Sequence, residues 1–273
     1  MSLRTAEART IMFWWKEFAN ETHMHSNRMT AVTAGILFII ATVTNVVATQ
    51  LSSPLLNDSS AMIRIAANSN VVNGGAFLEL IAAGACAGIA ITLYPVLRQW
   101  NAGLALGSVV FRTIEAVMYT IGVVSLLSLL TLSQQFTRVT ASDRTSIQAT
   151  GDLLLAMHQQ VVVPAVLAFS LGAVMYYVVF YQSRLIPRWL SGWGIAATIL
   201  SAAACLLAWF NQNPVVTYTI LWLPIAVQEM VLAVWLIARG FNASALQSGA
   251  AMRDSVATTQ PKSLTRIMSG VTT

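Results

Sequence analysis

Four charged residues lie inside long apolar stretches of this sequence, and their type and position suit them best for chemistry: Glu79, Arg112, Glu115 and Glu229. A charged side chain at mid-membrane costs at least about 2.5 kcal/mol unless it is paired or hydrated, so such residues mark interior sites. Arg112 comes eight residues after the start of the third apolar stretch, and Glu229 eight residues before the end of the sixth. At 1.5 Å per residue, both lie about 12 Å from the same membrane boundary. Equal depth and opposite charge predict that Arg112 and Glu229 form an interhelical ion pair.

The residues around this pair suggest a polar route through the protein. Glu115 follows Arg112 at i+3 and Tyr119 follows Glu115 at i+4, so the three share one helix face, which should point into the bundle. Glu79 and His158 fall nearer the opposite boundary, and a histidine exchanges protons near neutral pH. Together with Glu115 they would line a proton relay. Polar side chains also hold membrane helices together, so a closed network that sets helix register explains the same residues equally well.

The amino-acid composition indicates that these residues lie in membrane-spanning segments. The chain has 273 residues, of which 56% are hydrophobic and 9% are charged, whereas soluble proteins have about 25% charged residues. A span needs about 20 apolar residues, and continuous apolar runs without a period of two are helices rather than barrel strands. We therefore predict an all-α bundle of six transmembrane helices, over residues 31–50, 75–97, 104–132, 153–181, 189–210 and 215–237.

The distribution of basic residues predicts the orientation of the bundle. Eleven Lys and Arg residues flank the spans on the side of the two termini and three on the other side. The positive-inside rule then places both termini in the cytoplasm, in agreement with an even number of spans. The formal charge of +5 follows from this topology, so we expect no nucleic-acid partner.

The chain divides into three regions: an N-terminal segment at 1–29, the transmembrane domain at 30–240 and a tail at 241–273. The N-terminal segment has aromatic residues beside Arg9 and Lys16, which predicts a helix on the inner membrane surface in contact with anionic lipid. A loosely ordered aromatic anchor is the alternative. The tail is small, polar and aperiodic, and should be disordered. The connections 51–74 and 133–152, on the outside, are longer than usual.

Signatures of enzymes and metal sites are missing from the sequence. There is no HExxH, GxSxG, P-loop or CxxCH motif, and both cysteines, Cys86 and Cys205, lie in apolar stretches where we expect no disulfide. His23 and His25 are at i and i+2 and do not share a helix face, so we expect no metal site there. We expect no cofactor, and an enzymatic activity is not favoured.

Several short patterns in matching order carry a family resemblance: NRMTAVTAGILFII, TLYPVLR, FRTIEAV, SRLIPRWLSGWG and QEMVLAVWLIARGFN. Over residues 27–242 the chain resembles the bacterial membrane family known as domain of unknown function 4386. The family has no assigned activity, so the resemblance implies a six-helix protein of the bacterial inner membrane. It also places Arg112, Glu115 and Glu229 within the most recognisable patterns.

The leading hypothesis from the sequence is a polar site, built on Arg112, Glu115 and Glu229, that binds or moves a small solute or protons. The alternative is a scaffold or sensor that transports nothing and presents its outer loops and N-terminal segment to partners. A membrane enzyme acting on a lipid or quinone has only the buried carboxylates in its favour.

Overall fold

The computed structural model describes the backbone of residues 3–56, 60–139, 141–211, 215–249 and 251, and the side chains of 26–56, 60–139, 144–211, 217–249 and 251. Regular structure in these ranges is helical, without strands. The helices are α1 (Leu3–Leu56), α2 (Ala61–Ala67), α3 (Ser69–Leu97), α4 (Ala102–Phe136), α5 (Ala141–Gln160), α6 (Val162–Ser183), α7 (Arg188–Phe210) and α8 (Thr219–Ala238), with a short 3₁₀ helix at Val215–Tyr218.

Within the described residues, six helical stretches are long and apolar enough to cross a membrane, which confirms the predicted number and order of spans. They are Ser26–Leu56, Ser69–Leu97, Ala102–Phe136, Arg144–Ser183, Arg188–Phe210 and Thr219–Ala238. Most of these helices extend beyond the apolar runs, so the long connections predicted at 51–74 and 133–152 are largely helical. The short helix α2 lies in the first of them.

The fourth span is broken near its middle, between α5 and α6. The break is at Val161, three residues before Pro164. Proline has no N–H, so the carbonyl of Gln160 loses its partner in the helix ladder at this point. Proline is tolerated in the first turn of a new helix, where its N–H would be unpaired in any case, and α6 begins there.

The six spans form a closed ring. Helices α1, α3, α4, α6, α7 and α8 each pack on the next in this order, and α8 packs back on α1. Gly35 permits the close approach of α1 and α8, because a Cβ at this position would lie 2.7 Å from the Ala233 carbonyl oxygen. Arg28 joins the same two helices by donating to the carbonyls of Leu236 and Ile237, at 3.3 and 2.6 Å. In this ring α1 lies opposite α6, and α4 lies opposite α8.

The ring has two ends, which we name by the chain segments found there. The terminal end carries residues 28, 98–101, 184–187 and 239, and the loop end carries α2 and the starts of α3 and α5. A large apolar cluster fills the terminal half of the ring, and it includes Phe38, Leu93, Leu97, Tyr176 and Phe180. A second, smaller cluster at the loop end packs α2 against α4.

The structure describes parts of both predicted flanking regions. The N-terminal segment is helical from Leu3 and continues without a break into the first span, so it is not a separate short helix. Its side chains before Ser26 lie outside the described residues. In the tail, residues 243–249 are helical rather than disordered, because Ala245 is buried against the main apolar cluster. The tail after residue 251 lies outside the described residues.

Candidate functional site

Arg112 and Glu115 form a buried ion pair on the face of α4 that points into the ring. Their side chains are 2% and 3% exposed, and Arg112 Nη1 lies 3.0 Å from Glu115 Oε2. Two other helices hold the guanidinium in place. Its Nε donates to the Cys86 carbonyl on α3 at 3.3 Å, and its central carbon lies 5.0 Å from the centre of the Phe169 ring on α6. A cation over an aromatic face is stabilised by the ring quadrupole.

The predicted ion pair between Arg112 and Glu229 is wrong. Glu229 interacts with Arg112 electrostatically but does not come within 4 Å of it, and the Glu229 carboxylate instead accepts a hydrogen bond of 3.3 Å from the Thr42 hydroxyl on α1. The order of the helices explains the error. Helix α8 lies opposite α4 in the ring, whereas Glu115 is one turn from Arg112 on the same helix. Equal depth was therefore not sufficient for contact.

The polar centre keeps unused hydrogen-bonding capacity. Arg112 Nη1 and Glu115 Oε2 meet as charges, but their geometry is not that of a hydrogen bond. The buried Tyr176 hydroxyl makes no hydrogen bond of ordinary geometry with the described residues. A buried polar atom without a hydrogen bond is costly, so such atoms often mark functional positions. The centre also holds two carboxyls, of Glu115 and Glu229, and one guanidinium.

Helix α1 contributes two polar residues to the site that the sequence analysis did not identify. Thr42 binds Glu229, and Asn45, one turn further along α1, faces the hydroxyl of Tyr119. Tyr119 is in turn one turn from Glu115 on α4. Thr42 thus joins α1 to α8 by a hydrogen bond, and Asn45 faces α4 across the ring. The signal for them was present as two polar residues at i and i+3 within the first apolar stretch, a spacing that puts both on one helix face.

Glu79 and His158 come together in the loop-end half of the ring. His158 Nδ1 donates to the Gly122 carbonyl at 2.9 Å, which joins α5 to α4, and the imidazole interacts electrostatically with Glu79 on α3. The neutral ring therefore leaves Nε2 as an acceptor, and the protonated ring adds a donor there. The expectation that these two residues belong to one region is consistent with this geometry, while their use in a relay stays a prediction.

Exposure changes sharply along the ring-facing sides of the helices. Residues seven apart lie two turns apart on the same face, about 10.5 Å along the axis. In four such pairs, the residue nearer the terminal end is buried and the one nearer the loop end is only half-buried: Phe38 and Asn45, Cys86 and Glu79, Arg112 and Tyr119, and Leu236 and Glu229. We call this half-buried band of the ring, formed by Asn45, Glu79, Tyr119 and Glu229, the vestibule. Two turns further towards the loop end, Ser52, Val72 and Leu126 on α1, α3 and α4 are buried again.

An aromatic plug fills the ring at the level of the polar centre and on its terminal side. Phe38 on α1 and Tyr176 on α6 are on opposite helices and meet edge to face, with ring centres 6.3 Å apart. Tyr177 packs on Tyr176, and its hydroxyl donates to the Gln228 side chain on α8. Gln228 also donates to the Leu190 carbonyl on α7 at 3.1 Å. The plug, defined by Phe38, Tyr176, Tyr177 and Gln228, therefore joins four helices.

Two shallow surface grooves lie away from this site. One, of about 600 Å³, runs between α1 and α3 and includes Thr30, Thr33 and Thr92 in its lining, and the other, of about 460 Å³, lies at the loop end beside Arg144 and Asp152. Among the described residues, no three His, Cys, Asp or Glu side chains are placed to hold a metal ion.

A ring of six long apolar helices around a polar centre defines a multi-pass membrane protein. The chain belongs to the family described as domain of unknown function DUF4386, whose model matches residues 33–240. Arg112, Glu115 and Glu229 all lie within the matched region. No curated protein and no solved structure matches the chain.

Proposed function

We propose that this protein carries protons through a binding site built on Arg112, Glu115 and Glu229, and that the vestibule connects this site with the outside of the cell. In this proposal the protein lies in the bacterial inner membrane with both termini in the cytoplasm, as the distribution of basic residues favours. The plug then separates the site from the cytoplasm.

The observation that carries the proposal is the exposure of the ring-facing residues. The four residues two turns towards the loop end are half-buried, whereas their partners nearer the terminal end are buried. This contrast supports access from the loop end. Ser52, Val72 and Leu126 form a buried layer between the vestibule and the loop end, and the proposal requires that this layer part to admit water.

The packing favours a proton over a larger solute as the species that reaches the pair. Arg112 and Glu115 are 1% and 2% exposed, so the pair has little room for a solute. A proton needs no such space, because it passes between side chains that are close enough to hydrogen-bond. Two carboxyls with one guanidinium also leave the centre able to accept one positive charge. The second candidate is a small solute that binds in the vestibule, on the loop-end side of the Arg112–Glu115 pair.

A set of three cysteine variants on α1 tests the access route. In a background with Cys86 and Cys205 replaced by alanine, a membrane-impermeant maleimide is applied from the loop-end side to membranes with Ala41→Cys, Asn45→Cys or Val46→Cys. Asn45 lines the vestibule, Ala41 is one turn deeper and buried, and Val46 is 52% exposed on the outside of the ring. We expect Asn45→Cys to react, and Ala41→Cys and Val46→Cys to remain unmodified, the last because lipid covers it. Equal resistance of Asn45→Cys and Ala41→Cys would show a closed ring and favour the scaffold hypothesis.

Proton movement itself is measured in liposomes that contain the purified protein and a pH-sensitive dye. A potassium diffusion potential that attracts cations should acidify the lumen at a rate that falls at least tenfold in Glu115→Gln and Glu229→Gln. Asp152→Asn is the matched control, because Asp152 is exposed at the loop end and outside the ring. Unchanged rates in both glutamate variants would refute the proposal.

A further inference from the structure

Tyr177 and Gln228 form a buried contact that the proposed site does not use. Both side chains are completely buried, and the tyrosine hydroxyl donates to the amide oxygen of Gln228, while the amide nitrogen of Gln228 binds the Leu190 carbonyl. A backbone carbonyl inside a helix already has its helical partner, so Leu190 does not require this extra bond. The glutamine thus ties α6 and α7 to α8 at the level of the plug.

We propose that the hydrogen bond between Tyr177 and Gln228 is the latch of a gate, and that the plug opens the polar site towards the terminal end when this bond breaks. The inference rests on the proposed function and concerns how that site is regulated. The contact of Phe38 with Tyr176 across the ring is made by side chains alone, so it can part without unfolding a helix.

The position of the latch couples it to the charge at the site. Gln228 and Glu229 are consecutive residues of α8, and Glu229 is held by Thr42 of α1. In this proposal, a change of charge on Glu229 alters its bond with Thr42 and its attraction to Arg112, and α8 then shifts relative to α1. Because Gln228 is on the same rigid helix, this movement strains its bonds to α6 and α7. Protonation in the site and opening of the plug are therefore linked.

The protein contains its own reporter of the open state. Cys86 is buried beside Arg112, about 16 Å from the terminal end of α3 at 1.5 Å per residue, whereas Tyr176 is about 10 Å from the end of α6. A reagent that enters from the terminal side must pass the apolar cluster and the two tyrosines of the plug before it reaches the thiol. With Cys205→Ala as the parent, Cys86 is the only cysteine left in the sequence.

The experiment measures the rate at which a small membrane-impermeant maleimide modifies Cys86 from the side of the termini. Tyr177→Phe removes the latch hydroxyl and keeps the ring that packs in the plug. We expect its rate to rise about fivefold, the factor that corresponds to a net hydrogen bond of ~1 kcal/mol. Tyr181→Phe, one turn further along α6 and 43% exposed, is the matched control and should react at the parent rate.

Two further measurements distinguish opening of the plug from general unfolding of the protein. Labelling of Asn45→Cys from the loop end, with Cys86 and Cys205 both replaced by alanine, should be unchanged by Tyr177→Phe, since general unfolding would alter both sides. If Tyr177→Phe does not yield folded protein, Gln228→Met breaks the same bond from α8. If Cys86 in the folded variant is modified at the same rate as in the parent, the latch proposal is refuted, while the proposed proton site is not affected. The effect of Glu115→Gln on proton movement tests the proton site and does not depend on the latch.

Discussion

Replacement of Arg112 by methionine removes the cation that pairs with Glu115 and keeps an unbranched but shorter apolar side chain. The carboxyl of Glu115 then stays buried, on a side chain that is 3% exposed, without its counter-charge. Methionine also loses the bond from Arg112 Nε to the Cys86 carbonyl, which retains its place in the α3 ladder. The main consequence is therefore an uncompensated carboxyl at the centre of the ring.

The distances decide the size of the effect. For charges 3.0 Å apart, Coulomb's law with an effective dielectric constant of about 20 gives an attraction of about 5.5 kcal/mol before desolvation is subtracted. Breaking one side of a buried pair costs about 3–5 kcal/mol, while replacing both sides by apolar residues is often close to neutral. We therefore expect Arg112→Met to lower the free energy of unfolding by about 3 kcal/mol or more. The double variant with Glu115→Leu should lose less than Arg112→Met alone.

The assay is a double-mutant cycle on purified protein in detergent, unfolded by titration with sodium dodecyl sulfate and followed by the fluorescence of the eight tryptophans. We expect a coupling energy of about 2–3 kcal/mol between Arg112 and Glu115. A second cycle with Glu229→Leu should give a smaller coupling, because Glu229 is more than 4 Å from the guanidinium. A larger coupling to Glu229 than to Glu115 would refute the pairing described above.

Two other predictions concern orientation and packing. Ala149 and Ser248 are exposed at opposite ends of the ring, so single cysteines at these positions should be labelled from opposite sides of the membrane. We expect Ala149→Cys to react from outside the cell. Labelling of Ser248→Cys from outside would show the opposite topology. Gly194→Ala should lower the free energy of unfolding by about 1–3 kcal/mol, because its methyl group would overlap the Tyr177 ring. Gly84→Ala, with open space at the methyl position, serves as the control, and equal stabilities of the two variants would contradict the tight packing of the plug.

The six spans could be predicted from the sequence because their cause is local. Hydrocarbon offers no hydrogen bonds to the backbone, so an apolar run of about 20 residues must satisfy its own N–H and C=O groups as a helix. The depth of each charged residue followed from the same runs and the helical rise. For this reason the shared face of Arg112, Glu115 and Tyr119, and the burial of the first two, could be predicted from spacing alone.

The partners of these residues were decided by tertiary structure. Which helices are neighbours, and how each is rotated, depends on packing between segments that are distant in the chain, and depth along a helix contains no information about either. The sequence therefore paired Arg112 with Glu229, while the ring places α8 opposite α4 and brings Thr42 to Glu229. The bond between Tyr177 and Gln228 has the same origin: two ordinary polar residues, 51 positions apart, meet only because α6 and α8 both pack on α7.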